Sequence, residues 1–385
     1  MNDIMDKVAI IGMGCSKFGF NWADSSDDMI IEAAYEAFDD AGVDPQNIQA
    51  AWVGTLISGM MGIRLARPLK LEGIPIIRVE NGCGTAIAAL RDAALSIVSK
   101  TYDLVLVVGF EKFKDLGYNV VSNLDDVMYS HGRSAPGEYA LAATRYFHTY
   151  GIDKETLAKI AVKNHRNGCL HPKAHFRREI TLEQALSAPI IAWPLGLFDC
   201  CPRTDGAAAA IICPHELADN YKSDYILIKG IEIATGAGMG RMSKSYDYCH
   251  WEESFTAANR IYEQIGIKEP AKEISLAEVH DCFTINELFA YEDLGFCPRG
   301  QAKAYIDEGF FERDGQLPVN VDGGLKSFGH PQGATGIRMI YELYNQFRGK
   351  AEKRQIQDMR LGLAQTVGGT PGFGGVSHIA IVGGG

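Results

Sequence analysis

The chain has 385 residues and a formal net charge of −11, with 46% hydrophobic and 22% charged residues. This is the composition of a globular protein with a large core, and an acidic chain without a basic stripe is not typical of nucleic-acid binding. The sequence has no apolar run of about 18 residues and no basic region ahead of an apolar N-terminal stretch, so we expect no membrane span, no signal peptide and a cytoplasmic location.

The first third of the chain alternates short apolar strands with helices. We predict strands at residues 8–14, 51–55, 74–80 and 102–110, and helices at 27–41 and 84–99. Buried strands alternating with helices are typical of an α/β fold with a central sheet covered on both faces.

The rest of the chain contains a long excursion and then a second alternating region. Residues 115–205 are rich in charges, histidines and aromatics and are predicted to be mostly helical. Beyond them we predict strands at 207–213, 225–236, 274–279, 360–367 and 375–382, helices at 251–264 and 284–294, and a glycine-rich turn leading into a helix near 334.

The two alternating regions predict two related halves. We expect an α/β fold with two βαβαβ-type halves in an α-β-α-β-α layer arrangement and an inserted loop domain. The N-terminal half comprises residues 1–114 and 206–245, the inserted region residues 115–205, and the C-terminal half residues 246–385.

Nine cysteines invite a disulfide or metal interpretation, which their spacing does not support. They are scattered and odd in number, and no CxxC pair is present. We therefore expect reduced thiols and no metal site.

Cys83 is the first candidate for chemistry. It stands between Gly82 and Gly84, after a predicted strand and at the start of a predicted helix. The N–H groups and dipole of a helix start favour a thiolate and lower the thiol pKa. A buried structural cysteine is the alternative.

Two further segments carry ionisable groups in irregular surroundings. His330 lies in GGLKSFGHPQGATG, a glycine-dense loop ahead of a helix, where a histidine is well placed as a base. His280 and Cys282 follow a predicted strand, at the kind of strand end where α/β proteins form sites. Metal ligation is the alternative for this pair, but no nearby partner has ligand spacing.

A third glycine-rich segment, QTVGGTPGFGG at residues 365–375, includes Gly368. Free backbone N–H groups there suit an oxyanion hole, and a plain reverse turn is the alternative. VAIIGMGCSKFG near the N-terminus begins like a dinucleotide fingerprint, but Lys17 stands where the third glycine belongs, so we reject NAD binding.

In order along the chain, VENGCGTAIAAL, PLGLFDCCPRTDGAAAAIIC, HDCFTINEL and GGLKSFGHPQGATG resemble motifs of the thiolase superfamily, in its sterol-carrier-protein and archaeal branch. The resemblance covers residues 6–382 and implies the thiolase fold. Other thiolases carry a second cysteine in a C-x-G motif, where this chain has Thr366, Val367 and Gly368. The resemblance implies that Cys282 of HDCF replaces it.

The resemblance implies a 3-oxoacyl-CoA thiolase. On this resemblance we expect His330 to take the proton of Cys83, the thiolate to attack the 3-keto carbon, and Cys282 to act as acid and base. We expect backbone N–H groups near Cys83 and Gly368 to hold charge in the covalent steps, and His330 with a water held by His280 to hold the enolate oxygen.

Coenzyme A would be a co-substrate, with no permanently bound cofactor. We name four basic residues as candidate contacts: Lys112, Arg133, Arg241 and Lys244. The resemblance also implies a homodimer that works with a small zinc-ribbon and OB-fold partner protein.

We expect a bulky or aromatic substrate rather than acetoacetyl-CoA, because the branch includes a benzoylsuccinyl-CoA thiolase. Six aromatic residues are candidates for lining the acyl pocket: Phe113, Tyr118, Tyr129, Tyr139, Phe147 and Trp193. Arg133 or Arg203 is a candidate partner for a substrate carboxylate. Four other functions stay open: an acetoacetyl-CoA thiolase, a condensing C-acyltransferase, a non-catalytic scaffold subunit and a cysteine hydrolase.

Overall fold

The computed structural model describes residues 4–116 and 134–385. Within these ranges the strands are β1 (Val8–Cys15), β2 (Ala50–Gly54), β3 (Ile76–Val79), β4 (Val105–Glu111), β5 (Ile190–Ala192), β6 (Leu195–Gly196), β7 (Gly206–Pro214), β8 (Ile226–Gly236), β9 (Leu276–Glu278), β10 (Leu361–Thr370) and β11 (Gly374–Gly384).

The helices of the same ranges are α1 (Ser26–Ala41), α2 (Ile63–Leu69), α3 (Thr85–Val98), α4 (Ala135–Tyr150), α5 (Lys154–Gly168), α6 (Leu182–Ser187), α7 (His215–Ala218), α8 (Met239–Met242), α9 (Glu252–Ile265), α10 (Pro270–Glu273), α11 (Thr284–Asp293), α12 (Ala302–Asp307), α13 (Gly324–Ser327) and α14 (Thr335–Phe347). Short 3-10 turns occur at Pro45–Asn47, Phe113–Leu116, Leu197–Asp199 and Glu352–Arg354. None of these helices is long and apolar enough to cross a bilayer.

The strands form one large mixed sheet in the order β3-β2-β4-β7-β1-β8-β11-β10-β9. Its two halves repeat one pattern: β1–β7 and β7–β4 are antiparallel and β4–β2 is parallel, whereas β8–β11 and β11–β10 are antiparallel and β10–β9 is parallel. The predicted pair of related halves is therefore visible in the strand pairing. This pairing groups β8 with the second half, whereas the predicted boundary at residue 245 places β8 in the first. Short pairing between β1 and β8, at Ala9–Leu227 and Ile10–Ile226, joins the halves into one sheet.

Two central helices pack between the strands of the halves. α3 contacts β2 and β4 of the first half and β8 and β11 of the second, and α14 contacts β7 and β1 as well as β10 and β11. They approach closely at Gly336, where an added Cβ would come within 2.6 Å of the Ile87 side chain. α1 covers the outer face of the first half and α9 that of the second, which gives the predicted α-β-α-β-α layers.

The excursion is helical where the structure describes it, with α4, α5 and α6, and it also contains a β5–β6 hairpin that the sequence pattern did not predict. α5 packs on α11 and α13 of the C-terminal half. Lys163 on α5 forms a buried ion pair with Glu287 at 2.6 Å. We propose residues 115–205 as the inserted unit, because the chain returns from it directly into β7.

Candidate active site

The turn between β3 and α3 presents Cys83. Gly82 has φ +59°, a left-handed conformation that favours glycine, and its N–H donates to Glu80 Oε1 at 2.7 Å. The Thr85 hydroxyl donates to the Gly82 carbonyl at 2.6 Å and accepts the Asn81 N–H at 2.8 Å. The turn is therefore pinned, and its thiol faces a cavity of about 590 Å³.

The thiol is less acidic than a helix-start cysteine was predicted to be. Burial raises the pKa of Cys83 to about 11, with smaller contributions from the carboxylates of Glu111 and Glu80. Gln332 Nε2 donates to Cys83 Sγ at 3.3 Å, and this hydrogen bond lowers the pKa of the thiol. Our expectation of a lowered pKa is wrong for this structure because desolvation of the thiolate outweighs the favourable contacts.

His330 is oriented by the first residue of α14. The Thr335 hydroxyl donates to the Pro331 carbonyl at 3.1 Å, so its oxygen accepts from His330 Nδ1 at 2.8 Å. This leaves Nε2 as the unprotonated nitrogen, and that buried atom has no hydrogen-bond partner among the residues described. Burial lowers the pKa of His330 to about 3, so the ring is a neutral acceptor.

His280 completes a compact cluster with Cys83 and His330. The two imidazoles are edge to face with centroids 5.0 Å apart, and Cys83 Sγ and one nitrogen of each ring lie within 4.8 Å of one another. Burial lowers the pKa of His280 well below its usual value. Within the described ranges this is the one cluster of ligand type and spacing that would suit a metal ion, although the sequence predicts none.

Cys282 lies near this cluster but does not line the cavity. Its carbonyl accepts the Cys201 N–H at 2.9 Å. Burial, followed by the nearby Cys201 and Cys83, raises the pKa of Cys282 well above its ordinary value. Cys201, which sequence reasoning did not single out, is the cysteine that lines the cavity together with Cys83.

Gly368 packs against the nucleophile turn. An added Cβ there would come within 3.0 Å of the Cys83 backbone nitrogen. Its neighbour Gly369 lines the cavity, and the Gly369 carbonyl accepts the Tyr139 hydroxyl at 3.3 Å. Whether Gly368 donates to an oxyanion stays a prediction.

The four predicted coenzyme A contacts fall in different surroundings. Lys112 is only 4% exposed, and its ammonium pairs with the buried Asp205 at 3.0 Å, so it is a structural cation. Lys244 is exposed just after α8. Arg133 and the side chain of Arg241 lie outside the described part of the structure. Among the described residues, the cations that line the cavity are Arg78 and Arg203.

The six aromatic candidates for the acyl pocket also lie in different surroundings. Phe113 lines the cavity and Tyr139 is buried beside Cys282, whereas Phe147 packs against the core and Trp193 is 72% exposed. Tyr118 and Tyr129 lie outside the described residues.

Sequence reasoning missed three polar groups that set the geometry. Gln332 and Thr335 stand two and five residues after His330, inside a motif already noted, so their spacing was an available signal. His378 on β11 is different. Its Nε2 lies 2.9 Å from Asn81 Nδ2, and an added Cβ on Gly84 would overlap its ring. Nothing local marks His378 in its strand.

Two family profiles match the chain: "Thiolase, N-terminal domain" over residues 8–216 and "Thiolase C-terminal domain-like" over residues 237–380. The chain is 36% identical to acetyl-CoA acetyltransferase of Methanothermobacter thermautotrophicus, over 97% of this chain and 99% of that protein. It is 34% identical to sterol carrier protein 2 of Oryctolagus cuniculus (94% and 70%) and 33% identical to benzoylsuccinyl-CoA thiolase subunit BbsB of Thauera aromatica (94% and 95%).

Solved structures agree with these matches. The chain superposes on the Ltp2-ChsH2(DUF35) aldolase with a TM-score of 0.87 and 27% identity, covering 99% of this chain and 98% of that one. Human mitochondrial 3-ketoacyl-CoA thiolase in complex with CoA shares the fold, with a TM-score of 0.71 and 17% identity over 98% of both chains. This chain therefore belongs to the thiolase family, in the branch that includes sterol carrier protein 2 and BbsB, and is a thiolase-type acyltransferase.

Proposed function

We propose that the chain cleaves 3-oxoacyl-CoA thioesters with coenzyme A through an acyl-enzyme on Cys83. The observation that carries the proposal is the cluster of the Cys83 thiol and two buried, neutral histidines within 4.8 Å. An unprotonated His330 Nε2 beside a nucleophilic thiol is the arrangement that covalent acyl transfer needs.

In the first half-reaction His330 Nε2 accepts the thiol proton as Cys83 Sγ bonds to the 3-keto carbon. The Cα–Cβ bond then breaks, which leaves the acyl group on Cys83, and the departing acyl-CoA carbanion takes its proton from the Cys282 thiol. The raised pKa of Cys282 suits it to hold that proton until it is needed.

In the second half-reaction the thiol of coenzyme A gives its proton to the Cys282 thiolate. Its sulfur attacks the thioester carbonyl, and Cys83 leaves as a thiolate that recovers its proton from His330. Coenzyme A is polyanionic, and we propose that Arg78 and Arg203 attract it into the cavity, with Lys244, Arg133 and Arg241 as further candidates.

For the acyl group we propose benzoylsuccinyl-CoA, which would yield benzoyl-CoA and succinyl-CoA in the breakdown of aromatic compounds. The 33% identity to BbsB over nearly all of both chains supports it, and the 36% identity to acetyl-CoA acetyltransferase makes acetoacetyl-CoA the competing substrate. A comparison of kcat/KM for the two thioesters, with free coenzyme A present, decides between them. Preference for acetoacetyl-CoA would contradict the benzoylsuccinyl-CoA assignment.

The reaction type itself is tested by intact mass. Incubation with a 3-oxoacyl-CoA in the absence of free coenzyme A should add one acyl group to the protein, and the adduct should map to Cys83. The superposition on an aldolase makes retro-aldol cleavage the rival activity. Carbon–carbon cleavage with no mass increase on Cys83, and with no need for coenzyme A, would overturn the thiolase proposal.

We also propose a homodimer and a small partner protein of the zinc-ribbon and OB-fold type, in the cytoplasm. β3 is an edge strand with Ile77 49% exposed, which suits a second copy of the chain. The exposed β5–β6 hairpin, with Ile190, Ile191 and Trp193, offers an apolar surface for the partner. Similarity to a complex with a DUF35 protein supports the partner, and size-exclusion chromatography of the chain alone and with a co-expressed DUF35 protein tests both assemblies.

A further inference from the structure

A second cavity of about 370 Å³ lies beside the one that holds Cys83. Cys201 and Pro202 line both cavities, so the two are neighbours across these residues. The second cavity is lined largely by apolar side chains, among them Phe176, Ile180, Ile191, Leu197, Phe198 and Phe283. It is therefore a suitable place for an apolar acyl group whose thioester end is held near Cys83.

One charged side chain among the described residues of this lining is buried. Lys326 on α13 is 2% exposed, and its ammonium lies 6.0 Å and 5.9 Å from the ring centroids of Phe176 and Phe198. Burial lowers the pKa of this lysine. Buried lysines are nearly always paired, because leaving a charge unpaired away from water is costly.

Apart from these two ring contacts, the ammonium has no hydrogen-bond or ion-pair partner in the described ranges 4–116 and 134–385. The two acidic side chains that act on it electrostatically, Asp281 and Asp199, are hydrogen-bonded to other groups. Asp281 accepts the backbone N–H groups of Leu325 and Lys326. Asp199 accepts the Gly196 N–H and the Thr284 hydroxyl.

The charged residues that line the cavity, among those described, are also all basic. Its lining includes two cations, Lys326 within it and the exposed Arg178, and none of its lining residues among those described is an acid. In a chain with a net charge of −11, this local excess of positive charge indicates an anionic ligand.

We propose that the second cavity holds the acyl end of the substrate and that Lys326 pairs with a carboxylate on it. The preferred substrates are then 3-oxoacyl-CoA thioesters whose acyl part is apolar and carries a carboxylate. This inference rests on the proposed thiolase reaction, and it moves the carboxylate-binding role from Arg133 or Arg203 to Lys326. Pairing would satisfy the lysine only when substrate is bound, which provides selectivity against neutral acyl groups.

The test uses a matched pair of six-carbon thioesters, 3-oxoadipyl-CoA with a terminal carboxylate and 3-oxohexanoyl-CoA without one. The wild-type protein should prefer 3-oxoadipyl-CoA in kcat/KM. Lys326→Met should reduce kcat/KM for 3-oxoadipyl-CoA by roughly 10- to 100-fold, the range expected for losing a charged hydrogen bond, and leave that for 3-oxohexanoyl-CoA nearly unchanged. Lys272→Met, which removes an equal charge from an exposed ion pair, should leave the ratio unaltered.

The outcomes separate this inference from the reaction itself. If neither thioester acylates Cys83, the proposed function fails. If both acylate it and the wild-type protein shows no preference for the carboxylate, or if Lys326→Met keeps the wild-type ratio, the lysine has no such role. Should Lys326→Met fold poorly, inhibition of the wild-type protein by succinyl-CoA and butyryl-CoA is decisive, because equal inhibition by the two would overturn the proposal.

Discussion

The turns ahead of α3 and α14 hold equivalent places in the two halves of the molecule, since each precedes a central helix that leads into a strand of the sheet. Both helices begin with threonine, and in both the hydroxyl donates to a turn carbonyl: Thr85 to Gly82 and Thr335 to Pro331. The acceptor side differs, because Thr85 accepts a backbone N–H and Thr335 accepts His330 Nδ1.

This difference teaches how one local structure supports two roles. In the first turn the threonine fixes the backbone, so that the thiol is presented from a rigid loop. In the second it fixes a side-chain tautomer, so that the imidazole presents a lone pair. The duplicated fold then brings the nucleophile and its base together across the shared helix layer.

Of the substitutions in the two turns, replacement of the nucleophile should reduce activity most. We expect Cys83→Ser to lower kcat for thiolysis by about 10⁴-fold or more, because a serine hydroxyl is far less acidic than a thiol and His330 is a weak base. Steady-state kinetics and thermal unfolding provide the measurement, and the melting temperature should stay near that of the wild type. Retention of more than a few per cent of the activity would rule out Cys83 as nucleophile.

A second comparison, between Cys282 and Cys201, sharpens the assignment of the acid–base group. Cys282→Ala should reduce kcat by roughly 10²–10⁴-fold while Cys83 is still alkylated by iodoacetamide. Cys201→Ala, a matched change in the cavity wall, should cost less activity. The reverse order of the two effects would transfer the proton-transfer role to Cys201.

The two threonines provide a test of the turns themselves. Thr335→Val removes the acceptor that fixes the His330 tautomer, and we expect kcat to fall about tenfold, as for a lost hydrogen bond of ordinary strength. Thr85→Val should lower the free energy of unfolding, because it leaves the Asn81 N–H unbonded and removes one of the two donors to the Gly82 carbonyl, and should change the pH profile of kcat/KM less. Identical pH profiles for both variants would show that Thr335 has no role beyond structure.

A final expected effect is a pH dependence of stability that arises from two buried histidines of the C-terminal half. Burial lowers the pKa of His330 to about 3 and that of His378 to about 4, from 6.5. Between about pH 6.5 and pH 4 these two residues bind protons in the unfolded chain and not in the folded one, so their contribution to the free energy of unfolding falls as the pH falls. The slope is on the order of 1 kcal/mol per histidine per pH unit. Buried carboxyls whose pKa is raised to about 7, such as Asp281 and Glu292, act in the opposite direction over this range. Urea unfolding at pH 7.5 and 5.5 is therefore compared between the wild-type protein and His378→Gln, and an equal pH dependence of the two would contradict neutral burial of this ring.

Much of this architecture was predictable because it is local. Apolar runs and glycine-rich turns give the nine strands of the large sheet and the helices α1, α3 and α14 within a few residues, and the glycines around Cys83 and His330 mark the two turns. The β5–β6 hairpin was not predicted. What local patterns could not supply are contacts between distant segments. The pairing of Lys112 with Asp205, the position of His378 under Gly84 and the raised pKa of Cys83 all depend on burial by residues far away in the chain.

The contact of Gly84 with His378 also determines when the site can form during synthesis of the chain. β11, the last strand of the chain, inserts between β8 and β10, and its histidine closes off the space beneath the nucleophile turn. A ribosome synthesises Cys83 well before residues 374–384, so β11 can take its place only after this later part of the chain has been made. The reactive thiol does not reach its final surroundings before that point, and a nascent chain that contains Cys83 but lacks β11 does not yet possess the enzyme's site.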